Sequence, residues 1–490
     1  MSKNEKYLIC LSALFAVIYL VLIPYTTVPW CDEIGTTDTS VNILKCGQWA
    51  SHVWKYSYNP LHAFLLIPWL SVFGINHMSV CGFSVLWGGL AIVLIVLTAY
   101  RRRLIPTLLD GSILTALLWS NWVLISIIPN GRIDTLSLFL TVLWVNEVFS
   151  FQKDRKGQNV IRMFCLSFLL MFANVYAIPL LRLFLIYIIF FFHEGKQTFW
   201  KKSIVCITGF VVSFVSICIF YACVQQLIGY LNTYISFNGT LNPSTELSFV
   251  QRLIQAYTMD YHSLVLLVIS SVVIILKRKK ELYLYLIFIS AIPLLMVIAG
   301  RYASYYGWLF AIPVCVLFFT SCINALNVTN KKILLVVLFV LGGYRMAERS
   351  MENSKLISIS NQINRVVESH GQKLESKKNV VFINEICYYP LRELDCDVWY
   401  RKLKDTPSPD EKFEVFINNK IKNPQLKNKV RRLYHSLQNN LSYMPESGYL
   451  ICTSEYERNS SISYLNSHKY SCISEIVQDE ISLIEFERTE

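Results

Sequence analysis

NPLHAFLLIPWLSVFGINHMSVCGFSVLWGGLAIVLIVLTAYRRR, residues 59–103, decides how the whole chain is threaded. Its second half, Ser79–Tyr100, is apolar for long enough to cross a bilayer and ends on Arg101-Arg102-Arg103. Its first half, Asn59–Gly74, is shorter than the roughly 20 residues a span needs and opens on Asn59-Pro60. Counting that half as a span inverts everything downstream. Leaving it as an interfacial or re-entrant helix sends Ser79–Tyr100 inward and puts the arginine triplet in the cytoplasm.

The distribution of positive charge supports the second choice. A first span over Tyr7–Tyr25 follows Lys3 and Lys6 and has no small-residue cleavage site after it, so it reads as a retained span with its N-terminus inside. Further spans follow near 105–128, 133–150, 159–174, 178–193, 203–222, 262–276, 282–299, 305–322 and 333–346. The inner loops then collect Lys153, Arg155, Lys156, Lys196, Lys201, Lys202, Lys277-Arg278-Lys279-Lys280, Lys331 and Lys332. The outer loops of this region keep only Lys45, Lys55, Arg132, Arg252 and Arg301. The expectation is an α-helical polytopic membrane protein of about eleven spans, with a cytoplasmic N-terminus in the plasma membrane.

Composition agrees. Hydrophobic residues make up 54% of the 490 and charged residues only 16%. The net charge of +12 sits largely in the short inter-span clusters, which are topology signals, so nucleic acid is not an expected partner. Residues 1–347 read as a membrane domain, with 26–78 an outer loop carrying juxtamembrane helices. Residues 348–490 read as a small α/β extracytoplasmic domain. Strand-length apolar runs occur at 379–384, 449–453 and 471–486, the last broken at Gln478-Asp479, and a helical stretch falls near 410–440.

This topology gathers polar residues on the outer face. Trp30-Cys31-Asp32-Glu33 follows the first span, Pro129-Asn130-Gly131-Arg132-Ile133-Asp134 forms a short turn, and Gly300-Arg301-Tyr302 forms another. Each has an ordinary reading: a solvated acidic loop start, a local Arg132–Asp134 ion pair at a helix start, and an arginine snorkelling to headgroups. Arg182 lies inside a span, where an arginine costs about 2.5–3.5 kcal/mol and calls for a polar cavity or an anion. Together these residues point to a site for an anionic, membrane-borne substrate.

Their order resembles the lipid-dependent glycosyltransferases of the GT-C fold, in the protein-mannosyltransferase and aminoarabinose-transferase branch (glycosyltransferase families 39 and 83). The resemblance rests on Asp32-Glu33, the stretch closing in Lys45-Cys46-Gly47-Gln48-Trp49, the proline-led Tyr58-Asn59-Pro60-Leu61-His62, and Phe73-Gly74. It continues in Gly131-Arg132-Ile133-Asp134-Thr135-Leu136 and in Gly300-Arg301-Tyr302 followed by Ala311-Ile312-Pro313. It departs where Ile133 replaces a proline and where Asn174-Val175-Tyr176-Ala177 stands in place of a lysine-bearing turn. The resemblance implies transfer of a sugar from a polyprenyl-phosphate donor to a glycan, lipid or protein acceptor at the outer face. Asp32 would be the general base and Glu33 its support. Arg132, Arg182, Arg301 and Lys55 would hold the donor phosphate, with Asp134, Tyr302 and Asn59 supporting them. Membrane lipids would surround the site.

A divalent metal is admissible, but no metal ligand is assigned. His52, His62, His77 and His262 fall on the outer side without a spacing such as His-x3-His, and read as surface or headgroup-level residues. Six of the 14 cysteines (Cys31, Cys46, Cys387, Cys396, Cys452 and Cys472) fall outside, where disulfides are permitted. A transporter or flippase of lipid-linked sugars, or a surface polysaccharide polymerase, is the competing reading. The first would favour internal repeats, and none is visible.

Overall fold

The structure, a computed structural model, describes residues 1–47, 49, 60–150, 157–173, 196–224, 227, 249–258, 260–298, 307–400 and 444–489, with 31–32, 148–150, 157–159, 196–201, 295–296, 298, 324 and 400 described by backbone only. The expected span 178–193 and the helical stretch 410–440 lie outside these residues.

The first helix, α1 (Lys3–Thr26), starts in a capping box: Ser2 Oγ accepts from Glu5 N, and Glu5 returns the bond to Ser2 N. Next come α2 (Cys31–Cys46), α3 (Pro60–Phe73) and α4 (His77–Arg101). At 14 residues, α3 is about 21 Å long, well short of the roughly 30 Å hydrocarbon core. Gly74 at φ +83° ends it, and Asn76 then caps α4 by accepting from Ser79 N at 2.8 Å. The Trp69 indole donates to Ser79 O at 2.7 Å, so α3 folds back onto the start of α4.

The expected span 105–128 is broken. It forms α5 (Leu108–Trp119) and α6 (Trp122–Ile127), separated at Ser120-Asn121. Apolar periodicity runs through the break, but the Asn121 side chain accepts from Val123 N and Leu124 N and starts a new helix there. Then follow α7 (Asp134–Ser150), α8 (Gly157–Ala173), α9 (Lys196–Cys223), α10 (Phe249–Thr258), α11 (Tyr261–Leu276), α12 (Lys280–Ile298) and α13 (Trp308–Cys322). Among the described residues, three helical stretches are individually long and apolar enough to cross a bilayer: α1, α4 and Lys202–Cys223. The pair α10–α11 meets the criterion together. Apolar side chains stay exposed in helical stripes, such as Val211, Val215 and Ile219 on α9 and Val265, Val268 and Val272 on α11. Stripes of this kind suit lipid rather than water. The chain is a mostly helical, multi-pass membrane protein.

The helices pack around Trp119, whose indole stacks with Phe15 and meets Tyr19 edge-on at 4.8 Å. Charged residues tie the helices together at one end. Arg101 pairs with Glu5 at 2.7 Å, and Lys331 with the buried Asp110 at 2.6 Å.

The last long helix, α14 (Val328–Ser376), runs 49 residues without a break, about 70 Å. Sequence reading ends a span at 346 and expects short elements afterwards, whereas the helix continues for 30 further residues. Its C-terminal part is helical because Ile359, Ile363, Val366 and Leu374, at helical spacing, bury against the C-terminal sheet. Arg349 donates to Ile125 O and, at 2.8 Å, to Asn130 Oδ1, and Asn353 donates to Thr26 O at 2.7 Å. The C-terminal half of α14 therefore leaves the helical bundle at the end where α1 finishes and α2 begins.

The sheet has the order β2-β1-β3-β5-β4, built from β1 (Asn379–Phe382), β2 (Asp397–Tyr400), β3 (Ser447–Cys452), β4 (Tyr470–Gln478) and β5 (Ile481–Arg488). β1 is parallel to both β2 and β3. The run 471–486, broken at Gln478-Asp479, folds as the antiparallel hairpin β4–β5, with Asp479 at φ +56°. A short helix, α15 (Tyr388–Arg392), lies between β1 and β2. One apolar core joins Ile34 and Val41 of α2, Leu66 of α3 and Phe83 of α4 to Val380, Phe382, Tyr388 and Leu391.

Candidate functional site

The first turn of α2 is packed from three sides. The Trp30 indole donates to Asn130 O at 3.3 Å, and the Arg132 guanidinium lies 5.0 Å from the centre of the same ring. Arg132 Nε donates to Asp134 Oδ2 at 2.6 Å, so the expected local ion pair forms at the start of α7, where an acid also meets the positive helix end. Gly131, at φ +61°, allows this approach. A Cβ there would stand 2.8 Å from Glu33 Cγ and 2.9 Å from Val80. Two segments singled out in the sequence, 30–33 and 129–134, thus form one surface.

Glu33 is fully buried. Its Oε1 accepts from the Tyr389 hydroxyl at 2.5 Å and lies 2.8 Å from His77 Nδ1. Its Oε2 has no hydrogen-bond partner among the described residues. Cys81, one turn after His77 on α4, brings its sulfur within 3.6 Å of the imidazole. Burial and the neighbouring Glu33 carboxylate push the Tyr389 phenol well above its ordinary range, so it stays a neutral donor.

One turn further along α2, Asp38 anchors the C-terminal unit. Asp38 Oδ1 accepts from the Tyr388 hydroxyl at 2.7 Å and from Arg392 Nη2, and Oδ2 accepts from Asn42 at 3.3 Å. Arg392 also donates to Asn42 Oδ1 at 2.8 Å. Burial pulls the Arg392 guanidinium down, but the Asp38 carboxylate outweighs it and holds it above the ordinary range. Lys45 donates to Leu394 O at 3.0 Å, and its ammonium is held low by burial and by Arg392. Between α1, α4, α14 and α15 lies a cavity of about 320 Å³ lined by His77, Asn76, Asn361, Asn364, Tyr389 and others.

Of the residues named from the sequence, Glu33, Arg132 and Asp134 come together, and Asp32 is the second residue of α2. Lys55, Asn59, Arg182, Arg301 and Tyr302 lie outside the described residues. Three of the histidines depart from expectation. His62 is buried against Phe83, His77 joins Glu33, and His262 is partly buried beside Asn121 and Trp122. His52 is outside the described residues. Sequence reading missed Asp38, His77, Cys81, Tyr388, Tyr389 and Arg392. Only His77 and Cys81 carry a local signal, four residues apart on one helical face. All 13 described cysteines, including Cys46, Cys387, Cys396, Cys452 and Cys472, are free thiols.

No protein-family model matches the sequence, and no curated protein matches it. Solved structures do match. The apo crystal structure of ArnT from Cupriavidus metallidurans superposes with a TM-score of 0.61 at 10% identity, over 99% of this chain and 98% of that one. The crystal structure of ArnT from the same organism bound to undecaprenyl phosphate gives 0.44 at 11% identity, over 98% of each. ArnT is an aminoarabinose transferase of the GT-C type. Over nearly its whole length, this chain has the GT-C fold of ArnT.

Proposed function

We propose that the chain is a membrane glycosyltransferase that takes a sugar from a polyprenyl-phosphate donor and passes it to an acceptor at the outer membrane face. The observation that carries this reading is the meeting of the acid-bearing turn 30–33 with the Arg132 turn beside the end of the first span. An acceptor hydroxyl needs a base, and a lipid-phosphate leaving group needs cations, so both requirements converge there. The shared fold with ArnT supports the same reaction class.

Asp32 takes the acceptor proton, a role worth about 10²–10⁴ in rate. Glu33, held by Tyr389 and His77, fixes the turn that carries Asp32. Arg132, oriented by Asp134, meets the growing charge on the phosphate through charge-assisted bonds, with Arg182, Arg301 and Lys55 completing the anion site. Tyr302 and Asn59 support them. The phosphate leaves as an anion, so no proton donor is required, and one displacement inverts the anomeric centre. The acceptor is a glycan, a lipid or a protein.

The same reading takes about eleven spans, an inside N-terminus, a membrane domain over 1–347 and an outward unit over 348–490. The continuous helix α14 and the Asn353–Thr26 contact support the outward unit lying on the side of Asp32.

The test compares wild type with Asp32→Asn in lipid nanodiscs, supplied with polyprenyl-phosphate sugars and a crude acceptor extract. Free polyprenyl phosphate is the readout. Release by wild type and not by the variant is expected. Equal release by both would remove Asp32 from the mechanism.

A further inference from the structure

Glu33, His77 and Cys81 meet where α2 crosses the start of α4. One carboxylate oxygen, one ring nitrogen and the sulfur lie within 4.8 Å of one another. Hydrogen bonding orients the imidazole. Thr27 Oγ1 lies 2.9 Å from Ile23 O and 2.9 Å from His77 Nε2. Nε2 is thus held by Thr27, and Nδ1 is the nitrogen turned to Glu33. A histidine ligand is ordinarily oriented in this way, through the nitrogen that does not bind metal.

The three donor atoms are close enough to share one ion. Bonds of about 2.3 Å to a thiolate and about 2.0 Å to an imidazole, at the tetrahedral angle, hold S and N about 3.5 Å apart. Cys81 Sγ stands 3.6 Å from Nδ1 and 3.6 Å from Nε2, so the ring must turn before Nδ1 and Sγ face one ion. An independent sign of a missing partner is Glu33 Oε2, fully buried and unbonded among the described residues. Leaving such an oxygen unmet costs about 1–3 kcal/mol.

We propose that Glu33, His77 and Cys81 form a three-ligand site for a zinc-like divalent ion, with a fourth position open. A thiolate, an imidazole and a carboxylate together select zinc over magnesium or calcium. The two anionic ligands neutralise the ion. Binding releases the Cys81 thiol proton and the proton between His77 Nδ1 and Glu33 Oε1 to solvent, so affinity falls as pH falls. The ion pins the first turn of α2 to α4, directly beside Asp32. Whether or not the chain transfers sugar, the site stands on its own geometry.

Full-length protein bearing a tag without histidine, in nanodiscs, is stripped with chelator and titrated first with Co²⁺ and then with Zn²⁺. Wild type is expected to retain about one equivalent of zinc after desalting and to show a sulfur-to-cobalt charge-transfer band with tetrahedral visible bands. Cys81→Ser loses that band and binds at least about 100-fold more weakly, while Cys46→Ser, at the exposed end of α2, keeps both properties. Wild type that desalts free of metal overturns the site and leaves a His77–Glu33 ion pair in its place. A charge-transfer band that persists in Cys81→Ser overturns it equally.

Discussion

Arg392→Ala tests whether the C-terminal unit is held to α2 by the Asp38 contact. Arg392 and Asp38 are 4% and 0% exposed at their side chains, so removing the guanidinium leaves a carboxylate in a dry site. Breaking a buried pair from one side costs about 3–5 kcal/mol. Asp38 keeps the Tyr388 hydroxyl and the Asn42 amide, which places the expected loss near the lower limit, about 3 kcal/mol. That loss shifts the equilibrium between docked and undocked unit by about 10²-fold. Limited proteolysis in nanodiscs reads this opening directly, because cleavage of a transiently exposed segment follows its open population. The paired change Asp38→Leu with Arg392→Met removes both charges and is expected to recover most of the loss. A single variant cleaved at the wild-type rate would refute the reasoning. So would a paired variant as labile as the sum of its parts.

Tyr389→Phe keeps the ring and removes the donor to Glu33, so a thermal unfolding series should show a loss of about 1–3 kcal/mol. Gly131→Ala forces a side chain into a left-handed turn already 2.8 Å from Glu33 Cγ. A cost of about 1–3 kcal/mol is expected, with transfer activity falling in the same assay as Asp32→Asn. Two carboxyls of the sheet are held below their ordinary 4.5, Glu475 by Arg458 and Glu485 by Ser474 and Lys377. Folded values lower than unfolded ones give stability that is present above 4.5 and lost as pH falls through and below it. Unfolding midpoints followed from pH 6 to pH 3 should decline over the lower part of that interval, and Glu475→Gln should flatten the slope (about pH 3–6).

Much of the helical order was legible because span-length apolar runs separated by charged breaks have few other solutions. The short Asn59–Gly74 run, the Arg132–Asp134 pair and the break at Gln478-Asp479 could all be read locally. Three features could not. Apolar spacing continues through Ser120-Asn121, so only the hydrogen bonds of Asn121 reveal the break. The C-terminal half of α14 is polar on most faces, and its buried stripe has meaning only once the sheet is in place. Asp38 and Arg392 are ordinary charged residues 354 positions apart, and no local pattern marks them as partners. The candidate site divides the same way. Asp32-Glu33 and Arg132 stand out through their position after spans, whereas His77, Cys81 and Tyr389 acquire their importance only from the packing around Glu33.

The unbroken course of α14 also makes its length a matter of phase. Between Asn353, fixed to Thr26, and the sheet that follows Ser376 there is no loop to absorb an error. One inserted residue would advance the sheet by about 1.5 Å and rotate it by about 100° about the helix axis. Tyr389 and Arg392 would then swing away from α2 together. An insertion of seven residues, close to two full turns, would nearly restore the heading while lifting the sheet by about 10 Å. No insertion satisfies both rotation and height, so this shaft can vary in sequence far more freely than in length.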